Sequence, residues 1–266
     1  MRSSSWTAAA ALVLVSAVAM ADVRVVEDDG WCREDGWADG ARHCEVREAT
    51  LPAGGLLAVD ARPNGGIQVQ GWDGNEVRLR VKIVATAGSE AEARDIVGDV
   101  RVELADTVQA VGPARSQGRG WYASFRLEVP RGARLRLQAD NGGLQLERFE
   151  GDAELHTVNG GLHLDRVGGH VQGETVNGGI HVELSGTEWQ GQGLDLRTTN
   201  GGLHLAIPTG YNARLEAGTV NGGVHSDLPL TTRGRHTGGR IETDLGGGGR
   251  LVRVETTNGG LHLQRR

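Results

Sequence analysis

The sequence predicts an all-β chain folded as a repeat β-solenoid, β-helix-like, with one short helix and a disulfide-held N-terminal cap. Three observations predict it. First, Thr157-Val158-Asn159-Gly160-Gly161-Leu162-His163-Leu164 returns in near-copies at Thr175, Thr198, Thr219 and Thr256, and looser Asn-Gly-Gly cores stand at Asn64 and Asn141. Second, Asn141, Asn159 and Asn177 are 18 residues apart, the length of one closed coil of two strands plus corners. Third, 43 glycines beside 4% aromatics, with no collagen period, mark many tight turns between short strands rather than disorder. Asn-Gly between alternating strands is also a hairpin signal, so an antiparallel meander is the rival. Identical residues at identical phases favour parallel coils, which place equivalent residues about 4.8 Å apart so that asparagine side chains bond along the stack.

In chain order, residues 1–21 read as a secretory signal: Arg2 gives the positive n-region, Thr7 to Val18 the apolar run, and Ala19-Met20-Ala21 the cleavage site. The run is too short and alanine-rich for a membrane span, and neither a lipid-bearing cysteine nor a hydrophobic C-terminal anchor is expected. Residues 22–50 form the cap. It is acidic, carries Trp31 and Trp37, and is expected to be irregular and held by Cys32 and Cys44. Export puts those two thiols where disulfides persist, and a bridge is preferred over free thiols or a metal pair.

Residues 51–134 are a first β region and 135–266 the repeat solenoid. Leu51-Pro52-Ala53-Gly54, Val129-Pro130-Arg131-Gly132 and Ile207-Pro208-Thr209-Gly210 each precede an alternating strand that ends at an Asn-Gly-Gly, so the chain restarts its pattern three times. Within the first region Glu76 to Val84 alternates as a strand. Ser89-Glu90-Ala91-Glu92 matches a capping box and opens the one short helix, with Gly98 expected to close it. Val100 to Leu104 and Tyr122 to Val129 return to strand.

The repeats align on their asparagines, Asn64, Asn141, Asn159, Asn177, Asn200, Asn221 and Asn258. Positions two, four and six before the Asn are apolar or threonine and face inward; position five is polar (Arg136, Glu154, Gln172, Asp195, Glu216, Arg253) and faces outward. After the corner, Leu162, Ile180, Leu203, Val224 and Leu261 are each followed by a histidine. The longer steps to Asn200, Asn221 and Asn258 are expected to be loops or a degenerate coil, with Thr237-Gly238-Gly239 a worn copy.

Formal net charge of -6 argues against nucleic acid as partner. Lys82 is the only lysine, so no phosphate loop ending in Gly-Lys-Ser/Thr exists, and neither a Gly-x-Ser-x-Gly elbow nor a calcium nonapeptide occurs. His163, His181, His204, His225 and His262 are the one array of reactive side chains. Stacked imidazoles could share a divalent metal or titrate together, although a polar ring filling an exposed strand position accounts for them more simply. Outward Glu154, Asp165, Glu174 and Glu183 could supply the carboxylate pair of a carbohydrate-active β-helix enzyme, but any soluble sheet face shows such acids. Trp72, Trp121, Trp189 and Tyr211 could stack on sugar rings or cover the core.

The export signal, the segment from Trp31 to Glu48 with its His-Cys-Glu-Val-Arg-Glu run, and the serial Thr-x-Asn-Gly-Gly motifs with Pro-x-Gly restarts resemble a bacterial family of unknown function, the "putative adhesins", described as β-strand-repeat proteins. The resemblance covers nearly the whole chain after residue 21. It implies a β-helix-like fold and brings no catalytic residues. The expected protein is an exported, monomeric and non-catalytic envelope protein, periplasmic or alternatively extracellular, an adhesin-like binding or scaffolding module. It would have no cofactor and no integral membrane anchor, and an envelope protein or glycan as partner. The alternatives are a carbohydrate-active enzyme and a metal-binding protein using the histidines.

Overall fold

The computed structural model of the chain describes residues 22–27, 30–33, 41–228, 235–237 and 239–266; the expected signal at 1–21, Trp37 and Gly238 lie outside them. The N-terminal part runs β1 (Arg24–Val26), a 3-10 turn (Trp31–Arg33), β2 (Ala41–Pro52), β3 (Leu56–Asp60), β4 (Ile67–Trp72), β5 (Glu76–Ala87), α1 (Glu90–Asp99), β6 (Arg101–Leu104), β7 (Thr107–Val111) and β8 (Gly120–Pro130). The repeats follow as strand pairs: β9 (Arg134–Ala139) with β10 (Leu144–Glu147), β11 (Asp152–Thr157) with β12 (Leu162–Asp165), and β13 (Gly169–Asn177) with β14 (Ile180–Glu183). Next come β15 (Gly191–Asn200) with β16 (Leu203–Ile207) and β17 (Ala213–Asn221) with β18 (Val224–Ser226). Then β19 (Arg235–Thr237) and β20 (Arg240–Leu245) precede the last pair, β21 (Leu251–Asn258) with β22 (Leu261–Arg265).

Each repeat places its first strand in one sheet, turns at Asn-Gly-Gly, and places its second strand in the other. Successive repeats pair in parallel and in register, Thr157 beside Thr175 and Leu162 beside Ile180, which removes the meander. One sheet runs β1-β2-β5-β8-β4-β10-β12-β14-β16-β22-β18 and the other β19-β20-β17-β21-β15-β13-β11-β9-β3-β7-β6. The positions predicted to face inward are buried, among them Leu135, Leu137, Leu155, Leu194 and Leu196, and meet the inward residues of the facing sheet, such as Leu162 and Leu164. Gly173 takes an inward position where a Cβ would come within 2.8 Å of Leu196 Cδ2, so it makes room for a larger neighbour.

The corner sequence follows from this stacking. A threonine stands two before five of the seven asparagines; it is buried, and its hydroxyl donates to the carbonyl of the first corner glycine of the adjacent repeat, as Thr157 does to Gly142 at 2.8 Å, Thr175 to Gly160 at 2.7 Å and Thr198 to Gly178 at 2.8 Å. That bond satisfies a hydroxyl which burial would otherwise penalise. The asparagine amides form the expected ladder, Asn159 to Asn141, Asn177 to Asn159, Asn200 to Asn177, Asn258 to Asn200 and Asn221 to Asn258, each at 2.8–2.9 Å. A Cβ on the first glycine would fall 2.0 Å from the carbonyl oxygen of the neighbouring first glycine at Gly160, Gly178, Gly201 and Gly259. Only glycine fits there.

The structure departs from the expected stack at its C-terminal end. The last repeat does not follow the fifth; β21 lies between β15 and β17, and β22 between β16 and β18. The long step before Asn258 is not a worn coil: β20 pairs antiparallel with the outer side of β17, and Thr237 on β19 pairs with Arg240. The insertion relieves a like-charge contact. Stacking in chain order would set Asp195 against Glu216, whereas the inserted strand puts Arg253 between them, 3.2 Å from Asp195 and 2.7 Å from Glu216. In the step before Asn200 the extra residues tuck in Trp189, which is buried and donates to the Gly169 carbonyl at 3.0 Å; Tyr211 is buried too. Both belong to the core rather than to a sugar-stacking surface.

The N-terminal segment is more regular than expected. β2 is a continuous strand, antiparallel to β5, which is antiparallel to β8; β8 then pairs in parallel with β4, the first strand of the parallel run. Ser89 caps α1 as predicted, accepting from the Glu92 N–H at 3.2 Å, but the helix runs past Gly98 to Asp99. Its Ala93 and Val97 are buried against the end of the core. Cys32 and Cys44 are bridged, with Cα atoms 5.9 Å apart, a bond that fits an oxidising compartment. No described helix is long and apolar enough to cross a membrane.

Candidate functional site

The second glycine of each corner has a different reason to exist from the first. A Cβ would meet nothing closer than 3.7 Å at Gly202 and 3.8 Å at Gly260, and nothing within 4 Å at Gly223, and none of the three has a positive φ. Packing therefore permits a side chain at these positions. Together with Gly66, Gly143, Gly161 and Gly179 they form the floor of a groove of about 1200 Å³ along the outer face of the sheet that holds β12 and β14. Nine strands, from β5 to β18, line it, so at about 4.8 Å per strand it is roughly 38 Å long.

The side chains two residues after that glycine line it as a single file set by the register: Gln68, Gln145, His163, His181, His204, His262 and His225. All five predicted histidines thus meet in one row, with the last two in inverted order because of the inserted repeat. Gln68 and Gln145 extend the row. They were legible in the sequence, since they hold the histidine's position after Asn64 and Asn141. His163, His181 and His204 are packed ring on ring, with centroids 4.9 and 4.6 Å apart and planes within 3° and 11°. His262 is turned by 70° from His204 and by 58° from His225.

One end of the groove is cationic and aromatic. Trp31 is buried there, with the Arg126 guanidinium 4.2 Å and the Lys82 ammonium 5.2 Å from its ring. The 3-10 turn that carries Trp31 is fixed by the Cys32–Cys44 bridge, so the disulfide shapes this end of the site. The floor's carbonyls are taken, because the second-glycine carbonyls accept from the preceding strand of the sheet, as Gly179 does from the Leu162 N–H at 3.0 Å and Gly202 from Ile180 at 2.9 Å.

The acids proposed for glycan cleavage are divided between the two sheets. Glu154 and Glu174 stand on β11 and β13, where Glu154 pairs with Arg136 at 2.8 Å and Glu174 with His156 at 2.8 Å. Asp165 and Glu183 are register neighbours on β12 and β14; Asp165 pairs with Arg166, and Glu183 with His181 and Arg266. The hydrogen bond from His181, helped by the Arg266 charge, holds the Glu183 carboxyl below its usual range, opposite to what a general acid requires.

No family model and no curated protein matches the chain. Among solved structures it is similar to a putative cell adhesion protein from Clostridium sporogenes, at 10% identity over 93% of this chain and 99% of that one, TM-score 0.40. It is also similar to a putative adhesin from Bacteroides fragilis, at 9% identity over 84% and 97%, TM-score 0.33, and to one from Parabacteroides merdae, at 9% identity over 85% and 97%, TM-score 0.32. The chain thus resembles bacterial proteins that carry an adhesin name.

Proposed function

We propose that this protein is a β-solenoid binding module of the bacterial envelope, exported to the periplasm, that takes an extended, unbranched glycan along its glycine-floored groove. The observation that carries this reading is the second glycine: seven copies keep a position bare where, in at least three of them, packing would admit a side chain. What that bareness leaves is a straight channel. Its row of imidazoles and amides supplies groups that donate and accept hydrogen bonds, suited to hydroxyls. The row repeats once per strand, close to the advance of one sugar in an extended β-1,4-linked chain. A peptide fits less well, because the floor's carbonyls already accept from the neighbouring strand and are not open to an added one. Affinity then comes from many weak, repeated contacts, which makes it depend on chain length.

The test is binding of the purified chain to linear glycans of graded length, measured by titration calorimetry beside a Gly202→Leu/Gly260→Leu variant that obstructs the groove. The expected outcome is affinity that rises with glycan length in the parent and falls at least about tenfold, roughly 1.4 kcal/mol, in the variant, with unchanged circular dichroism. Equal binding by both proteins, or none by the parent, removes the proposal.

A further inference from the structure

The histidine row differs along its length, and the difference decides where a metal can sit. A metal bound by imidazole lies in the plane of the ring on a nitrogen lone pair. Stacked rings have parallel planes that do not meet, so His163, His181 and His204, within 3° and 11° of parallel, as oriented offer no common in-plane point for one ion. His204 is further closed off, since its Nδ1 is buried without a partner and its Nε2 lies 2.9 Å from Gln264 Oε1. At the far end the geometry reverses. His262 and His225 are tilted by 58°, so their planes cross, and Asp227, two residues beyond His225, joins them. His225 Nε2 is 3.4 Å from Asp227 Oδ1, and one ligand atom from each of His225, Asp227 and His262 lies within 4.8 Å of the others. No other group of three such residues meets that condition among the described residues.

We propose that His225, Asp227 and His262 bind a divalent transition metal, zinc or a metal of similar preference, at the C-terminal end of the groove. Two imidazoles and one carboxylate match zinc's ligand chemistry, and small side-chain rotations bring them to the metal–ligand distances of about 2.0–2.2 Å that it takes. Three protein donors leave a tetrahedral position open to water or to an oxygen of a bound molecule. The ion would also tie β18, the three-residue strand at the end of its sheet, to β22 beside it. The inserted repeat places the site at the end of the row: with the repeats stacked in chain order His225 would stand between His204 and His262, whereas here it is the last of the file with His262 alone beside it.

The proposal stands apart from glycan binding and is tested with the metal alone. Titration calorimetry of the purified metal-free chain with zinc chloride should show one saturable site per chain. His225→Ala, His262→Ala and Asp227→Asn should each weaken it about tenfold or more. The His163→Ala/His181→Ala pair should leave it unchanged. Cobalt substituted for zinc should give the visible absorption of a tetrahedral ion in the parent and lose it in Asp227→Asn, an exposed change that does not threaten folding. Absence of saturable binding overturns the proposal, as does equal binding by Asp227→Asn or a comparable loss in the His163→Ala/His181→Ala protein.

Discussion

At the scale of single residues, the Thr-x-Asn-Gly-Gly signature separates into structural and functional letters. The threonine hydroxyl, the asparagine amide and the first glycine are each tied to the neighbouring repeat: by a bond to a carbonyl, by a link in the amide ladder, and by a contact that no Cβ could tolerate. The second glycine bears no such duty at Gly202, Gly223 or Gly260. Two neighbouring alanine substitutions should therefore behave in opposite ways. Gly178→Ala forces a Cβ to 2.0 Å from the Gly160 carbonyl oxygen, against backbone that cannot swing aside, and should destabilise by about 3 kcal/mol or more. Gly202→Ala meets ordinary contacts and should stay within about 0.5 kcal/mol of the parent, helped by the reduced freedom of the unfolded chain. Urea denaturation of both proteins checks the contrast.

At the scale of elements, the strand that decides the C-terminal architecture is β21, held between two acid-bearing strands through Arg253. Its hydrogen bond to Glu216, reinforced by its charge, keeps the Glu216 carboxyl below the ordinary range. A carboxyl whose folded value is depressed contributes stability above its unfolded value of about 4.3, and that contribution fades as pH falls through the folded value. Arg253→Met should accordingly cost about 2 kcal/mol at pH 7, because it removes charged hydrogen bonds and leaves Asp195 and Glu216 without their shared partner. The gap between parent and variant should narrow on acidification below about pH 4.5. Denaturation at pH 7 and pH 3 measures it, and a gap independent of pH would show that Arg253 acts through packing of its stem instead.

At the scale of the whole molecule, the inserted repeat changes what the C-terminus does. In a stack built in chain order the last repeat is an end coil that frays first. Here Val252 and Val254 sit between β15 and β17, fully inside their sheet. Hydrogen exchange should find the amides of β21 as slow as those of β11 in the middle of the stack, and slower than those of β19 at the sheet's edge; fast exchange in β21 would contradict the strand order. The same insertion joins the scales, because it separates Asp195 from Glu216 and parts His225 from His204, leaving His225 at the end of the row.

Periodicity by itself determined that the chain is β-rich, which residues face inward, where the corners fall and that Ser89 opens a helix; it favoured parallel strands over a meander, and the parallel register then set the five histidines in one row. Those features are local or repeat at a fixed phase, so each strand's alternation and each corner's glycine carry them in the sequence. Tertiary structure alone decided the order of the last two repeats, the burial of Trp189 and Tyr211, the strand character of β2, the tilt of His262 and the partnership of Asp227. The repeats are nearly identical, so periodicity cannot say which copy neighbours which. That choice rests on contacts distant in the chain, among them Arg253 seated between two carboxylates, and which histidine ends the row follows from it.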